Sequence, residues 1–234
     1  MIVPEIRARL QKLGTKKRAK GSQRYFKTGP GEYGDGDIFI GVTVPELRRL
    51  ATEYQSITLR EVIQLLRSTI HEERLLALLL LVRAYAKADA RTKKHIYDLY
   101  LENTHYINNW DLVDASAMHI VGAFLVGKSK KTLHNLTRSN NLWERRIAVM
   151  ATFHFIKYGE FAASLAIART LLSDEEDLIH KAVGWMLREI GKRDIQVEEQ
   201  FLKKHYKRIP RTMLRYAIEQ FPEAKRQRYL KGEI

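Results

Sequence analysis

The chain has 234 residues, no cysteine, and 41 basic against 27 acidic residues, a formal net charge of +14. Without cysteine there is no disulfide framework and no thiolate metal site. A cationic surplus of this size points to a polyanionic partner: DNA, RNA or an anionic membrane surface. The most apolar run, Leu75 to Val82, is far shorter than the roughly 20 residues a bilayer requires. No secretory signal is evident, and a reducing, cytoplasmic setting is expected, with nucleoid association when the chain is on DNA.

Met1 to Gly14 read as a short amphipathic helix. Lys12, Lys16, Lys17, Arg18, Lys20, Arg24 and Lys27 then form a basic segment. From Thr28 to Asp37 the chain is glycine-rich, the one long break in helical pattern. Its Glu32, Asp35 and Asp37 would repel phosphate if they faced a duplex. The loop therefore either turns away from nucleic acid or reaches a minor groove through Tyr33. Asp37 to Val42 is expected to run extended.

Beyond the loop, helix signals are dense. Thr43-Val-Pro-Glu46 and Thr58-Leu-Arg-Glu61 are capping boxes, the first with proline inside the first turn. Apolar helices are predicted to start near Glu72, Asn109, Leu142, Asp177 and Pro210. Each follows a shorter helix, starting near Thr58, Arg91, Ser129, Phe161 and Asp194. Two helices recurring every ~35 residues is the HEAT or TPR signature, and no TPR consensus is visible. The predicted fold is all-α: a HEAT-like helical-repeat solenoid, an α-α superhelix with a basic concave face. It is read as a single domain over 1–234, with an N-terminal cap over 1–45, stacked pairs over about 46–221 and a tail over 222–234.

Aligning the repeats brings out a constellation. The later helices carry Trp110-Asp-Leu-Val-Asp114, Trp143-Glu-Arg-Arg146 and Lys181-Ala-Val-Gly-Trp185. Each tryptophan stands one helical turn from a charged residue, on the same face. Asp114, Arg146, Lys181 and Arg215 recur at similar intervals, giving one carboxylate among three cations. Trp143 reads as core, whereas Trp110 and Trp185 read as aromatic platforms. Asp114 lies in an apolar run and needs a partner if it is buried; Arg146 is the natural candidate. A second basic segment, Lys203, Lys204, Lys207, Arg208, Arg211 and Arg215, lies near the C-terminus. The histidines, His71 among them, show no metal-ligand spacing. Asp111 reads as part of the cap of the helix that Asn109 opens, so neither metal nor cofactor is expected.

From about Arg24 to the C-terminal helices the chain resembles the AlkD-like family of DNA alkylation repair glycosylases. The carrying segments are Arg24-Tyr-Phe-Lys27, Gly41-Val-Thr-Val-Pro-Glu-Leu-Arg-Arg49, Asn109-Trp-Asp-Leu-Val-Asp114, Leu142-Trp-Glu-Arg-Arg146 and His180-Lys-Ala-Val-Gly-Trp-Met-Leu-Arg-Glu189. The resemblance implies removal of cationic N3- and N7-alkylated purines from double-stranded DNA without base flipping. It places the catalytic carboxylate at Asp114, with Trp110 and Trp185 against the deoxyribose and Arg146 beside the carboxylate. It puts Tyr25 on the DNA. Arg24, Lys27, Lys181, Arg188, Arg211 and Arg215 complete the expected DNA contacts. A monomer, with no membrane partner, is expected.

Two other readings stand beside this one. A non-catalytic paralogue could recognise damaged or branched DNA on the same scaffold. A protein-interaction scaffold is the third, and the net charge argues against it. A pure binder has no use for a carboxylate facing a polyanion, so Trp110, Asp114, Arg146 and Trp185 together favour the enzyme.

Overall fold

The structure, a computed structural model, describes residues 2–234, so Met1, the first residue of the predicted N-terminal helix, lies outside them. Every regular element among the described residues is a helix, and one isolated parallel bridge joins Ile38 to Ile70. That bridge is what remains of the extended segment expected over Asp37 to Val42. The chain forms two compact units, Met1–Ile120 and Val121–Ile234.

The first unit contains α1 (Val3–Leu13), α2 (Lys16–Tyr25), α3 (Val44–Glu53), α4 (Leu59–Leu66), α5 (His71–Lys87), α6 (Ala90–Glu102) and α7 (Trp110–Asp114). Its centre is α5, which packs against α3, α4, α6 and α7. Leu75, Leu76, Leu78, Leu80 and Leu81 are all buried. A helix apolar around most of its girth has to be surrounded by others. The flanking helices are amphipathic and bury one stripe each: Leu47, Leu50 and Ala51 on α3, Val62, Leu65 and Leu66 on α4. Both start at the predicted capping boxes, with Thr43 paired to Glu46 and Thr58 to Glu61.

The glycine-rich loop returns to this core at Gly41. Its φ is +83°, and a Cβ there would lie 2.3 Å from the Thr15 carbonyl oxygen. Only glycine allows that backbone conformation and that approach together. The Glu72 carboxylate then accepts three successive amides, from Ile40 at 3.1 Å, Gly41 at 2.7 Å and Val42 at 3.3 Å. Hydrogen bonds to an ionised acceptor are the stronger kind, and these fix the end of the loop to the first turn of α5.

The second unit contains α8 (Lys131–Leu136), α9 (Leu142–Ala151), α10 (Phe153–Ile156), α11 (Ala162–Thr170), α12 (Asp177–Gly191), α13 (Ile195–His205), α14 (Arg211–Ala217) and α15 (Glu223–Lys231). Here α12 is central, packing against α9, α10, α11, α13 and α14. It buries Ile179, Ala182, Val183, Met186, Leu187 and Ile190. Gly184 lets α14 come close: a Cβ would meet the Met213 carbonyl oxygen at 2.5 Å.

The predicted pairs are present. Helices begin at His71, Trp110, Leu142, Asp177 and Arg211, and the partner helices at Leu59, Ala90, Lys131, Ala162 and Ile195. The segment 222–234, read as a tail, carries the further helix α15. It is mostly polar, and Tyr229, 2% exposed, anchors it. The Tyr206 hydroxyl donates to the Tyr229 carbonyl at 2.6 Å. Gly232, in the left-handed region at φ 82°, ends the helix.

Candidate functional site

In the first unit the site is built on the short helix α7. The Asn109 side chain accepts the Trp110 amide at 2.8 Å and so caps it. Leu112 and Val113 are fully buried and fasten its inner side. Trp110 and Asp114, four residues apart on the opposite side, remain half-buried. The Tyr100 phenol below is fully buried and shares a hydrogen bond of 2.9 Å with the Ser116 hydroxyl. Its pKa is pushed up, by burial first and by the Asp114 carboxylate in addition.

Trp110 is one face of an aromatic stack. Phe26 lies parallel to it with centroids 5.2 Å apart, Phe39 stacks on Phe26 at 5.1 Å, and His71 stacks on Phe39 at 4.3 Å. Tyr25 meets Trp110 edge-on at 5.9 Å and is 66% exposed. Of the sequence-predicted residues, Tyr25 and Trp110 are therefore brought together. Tyr25, Phe26, Phe39, Val42, Leu47 and Leu75 are among the walls of a cleft of about 380 Å3 that Arg18 also lines.

Beneath the stack lies a polar network that the sequence pattern does not announce. His71 Nδ1 is 2.9 Å from Asp37 Oδ2, and His71 Nε2 is 2.9 Å from Asp111 Oδ2. Arg74 Nη2 donates to the other Asp37 oxygen at 2.6 Å. His71, Asp37 and Arg74 are all buried. Burial by itself would lower the imidazole pKa, but the bonds to Asp111 and Asp37 prevail and raise it. Burial would likewise raise the Asp37 pKa, and His71 and Arg74 hold it below the ordinary value. Asp111 also accepts its neighbour Leu112's amide at 2.9 Å, so it both caps α7 and receives His71. The one signal in the sequence is the tetrapeptide His71-Glu-Glu-Arg74 heading the most apolar helix. All four side chains are buried there, and four polar groups at the start of a core helix need partners.

The acidic groups of the loop are likewise engaged by the protein's own groups, Asp37 in the interior and Glu32 and Asp35 at the surface. Asp37 belongs to the network, Glu32 accepts the Gly29 amide at 2.9 Å, and Asp35 accepts the Gly31 amide at 3.0 Å. Arg24 and Lys27 beside it are exposed. Lys27 has φ 50°, and its ammonium sits 5.9 Å from the Tyr33 ring centroid.

In the second unit Trp143 is buried, 7% exposed. Arg146, on the same helix α9, is also buried and donates through Nη1 to the Leu178 carbonyl at 2.6 Å. Trp185 on α12 is half-buried, and its indole N–H donates to Glu189 Oε1 at 3.3 Å. Two predicted DNA contacts carry ion pairs: Lys181 with Asp177 at 2.7 Å, and Arg188 with Glu219. Arg211 and Arg215, four apart on α14, are exposed. Among the described residues no group of three or more metal-ligating side chains could hold an ion, and no helix is long and apolar enough to cross a membrane.

The sequence model of the family described as DNA alkylation repair enzyme matches residues 6–221. The chain belongs to the DNA alkylation repair enzyme family. No curated protein matches it. Among solved structures, a predicted DNA alkylation repair enzyme from Enterococcus faecalis is 18% identical, with a TM-score of 0.68. The match covers 90% of this chain and 97% of that one, a shared fold at low identity. Within this DNA alkylation repair protein, α7 and its aromatic stack lie inside the matched span, as do α9, α12 and α14.

Proposed function

We propose that the protein is a monofunctional DNA glycosylase that hydrolyses the N-glycosidic bond of N3- and N7-alkylated purines in duplex DNA. The observation carrying this reading is α7, which presents Trp110 and Asp114 on one side with the exposed Tyr25 ring against Trp110, in a DNA alkylation repair protein.

The chemistry asks little of such a site. An N3- or N7-alkylated purine is already cationic. When the bond from C1′ to nitrogen breaks, its electron pair neutralises the base. No acid is needed to protonate the leaving group, so the base has no need to rotate into a pocket. The positive charge moves to the sugar, which becomes oxocarbenium-like. Asp114 stabilises that charge and takes a proton from the water that adds to C1′. The products are the free base and an abasic site.

Trp110 offers an aromatic face to the sugar, contributing about 0.5–2 kcal/mol through the ring quadrupole, and Trp185 is assigned the same role from the family resemblance alone. Arg146 is assigned to the phosphate backbone, the role the family resemblance implies for it. Tyr25, Arg24, Lys27, Lys181, Arg188, Arg211 and Arg215 are assigned to the DNA. Of these, Arg24, Lys27, Arg211 and Arg215 are best placed by their exposure; Lys181 and Arg188 would first exchange their carboxylate partners for phosphate. The protein is expected to work as a monomer in the cytoplasm, associated with the nucleoid when on DNA.

The test is release of free base from a duplex carrying N7-methylguanine. The reading predicts release well above the spontaneous rate. Binding without release would instead favour a protein that only recognises damaged DNA.

A further inference from the structure

We propose that His71 is a positioning residue whose proton locks Trp110 into place, making the aromatic face of the site sensitive to pH; this rests on the glycosylase reading for its consequence, though not for its geometry. His71 bridges two segments that sequence keeps far apart. Through Nδ1 it meets Asp37 at the end of the glycine-rich loop, and through Nε2 it meets Asp111, the residue that follows Trp110. Its ring also stacks on Phe39, which stacks on Phe26, which stacks on Trp110. Trp110 is thus held twice from the same imidazole, once through its own helix and once through the rings.

The two bonds require the proton. Only an imidazolium donates from both nitrogens. The neutral ring has one N–H, so one nitrogen lone pair would face a carboxylate across 2.9 Å. Either Asp37 or Asp111 must then move. Asp37 is the better held of the two, because Arg74 grips its other oxygen at 2.6 Å and the Asn108 and Asn109 amides lie 3.4 Å away. Asp111 is therefore the group that gives, and α7 shifts with it. The charged groups facing His71 are Asp37 from the loop, Asp111 from α7 and Arg74 from its own helix. Glu72 beside it is committed to the Ile40, Gly41 and Val42 amides. Two carboxylates against one guanidinium favour the protonated ring, in agreement with its raised pKa.

The glycosylase mechanism itself makes no use of His71. A displacement of α7 by about 1 Å is enough to matter, because misplacing a reacting group by that much costs up to about a hundredfold in rate.

The experiment follows the indole N–H resonance of Trp110 in the full chain by NMR between about pH 6 and pH 10, assigned with Trp110→Phe, beside single-turnover base release over the same range. The Trp110 signal is expected to titrate with one midpoint above the ordinary histidine range. His71→Gln should abolish that transition and slow release by about tenfold to a hundredfold. Asp111→Asn removes one carboxylate and lets a neutral imidazole accept from the new amide. It should move the midpoint down and remove the fall in release that the wild type is expected to show as pH rises through that midpoint; this variant decides the matter if His71→Gln does not fold. A Trp110 resonance that does not titrate, or a transition unchanged in these variants, would overturn the proposal. A wild-type protein that shows the titration but releases no base would overturn the glycosylase reading and leave the positioning role standing.

Discussion

The Tyr25 ring stands edge-on to Trp110 with centroids 5.9 Å apart, yet two thirds of Tyr25 faces solvent. An exposed aromatic contributes little to folding, and surface changes usually stay within about 0.5 kcal/mol. Under the proposed function its value lies in what it offers DNA. Tyr25→Ala should leave the melting temperature nearly unchanged and weaken binding to a methylated duplex by about 1–2 kcal/mol, whereas Tyr25→Phe retains most of the affinity. Matched calorimetry and fluorescence-anisotropy titrations check this. A large drop in stability would make Tyr25 a structural residue.

The cations divide in the same manner. Arg211 and Arg215 are exposed on α14, while Lys181 and Arg188 are paired with Asp177 and Glu219. Binding to DNA should weaken steeply with salt, and removing one cation that neutralises a phosphate should reduce the slope of log affinity against log salt by about one. Arg211→Gln and Arg215→Gln are expected to reduce it by nearly that amount each, and Lys181→Gln by less. Equal effects from all three would show that the Lys181–Asp177 pair opens fully on DNA.

Much of this is legible in the sequence, and the reason is physical. Helix starts depend on local signals, so Thr43, Thr58, Asn109 and Asp194 mark their helices correctly. Apolar periodicity recovers α5 and α12 because burial is their dominant energy term. The pairing of loop acids with backbone amides is harder to read, since Glu32 and Asp35 look like solvent charges until the turn is folded. The His71 network shows only as four polar residues heading an apolar helix, and its partners are hidden for a different reason. Its members are Asp37, His71, Arg74 and Asp111, and only the tertiary fold brings residues 34 and 40 positions from His71 to its two nitrogens. α15 escapes a search for apolar periodicity because one buried tyrosine, not a stripe, holds it.

The His71 and Asp37 shifts make stability depend on pH at both ends. His71 has a raised pKa when folded, so its contribution is complete below the ordinary value of 6.5 and is lost as pH rises through the raised one. Asp37 is lowered, so its contribution is complete above 3.8 and is lost as pH falls through its folded value. Chemical denaturation across pH should show stability falling on the alkaline side, and His71→Gln should flatten that limb. A limb unchanged in His71→Gln would place the titrating group elsewhere.

Glu198 on α13 provides an opposite case. It is 1% exposed, its Oε1 has no hydrogen-bond partner among the described residues, and burial followed by the nearby Glu199 pushes its pKa up to about 8. A raised carboxylate favours the folded state fully below 4.5 and progressively less as pH rises towards 8. Glu198→Gln removes that loss, and should stabilise the protein by about 1–2 kcal/mol at pH 8 with little change at pH 4. A destabilised variant at both pH values would mean that the carboxyl group itself is needed in the core.

Everything proposed about catalysis depends on Asp114, and the direct measurement is single-turnover release of N7-methylguanine from duplex DNA by the wild-type chain and by Asp114→Asn, with affinity measured alongside. The account predicts that the wild type releases base, that Asp114→Asn slows release by at least ~100-fold, and that the variant binds the duplex as tightly or more tightly. Full activity in Asp114→Asn would contradict it.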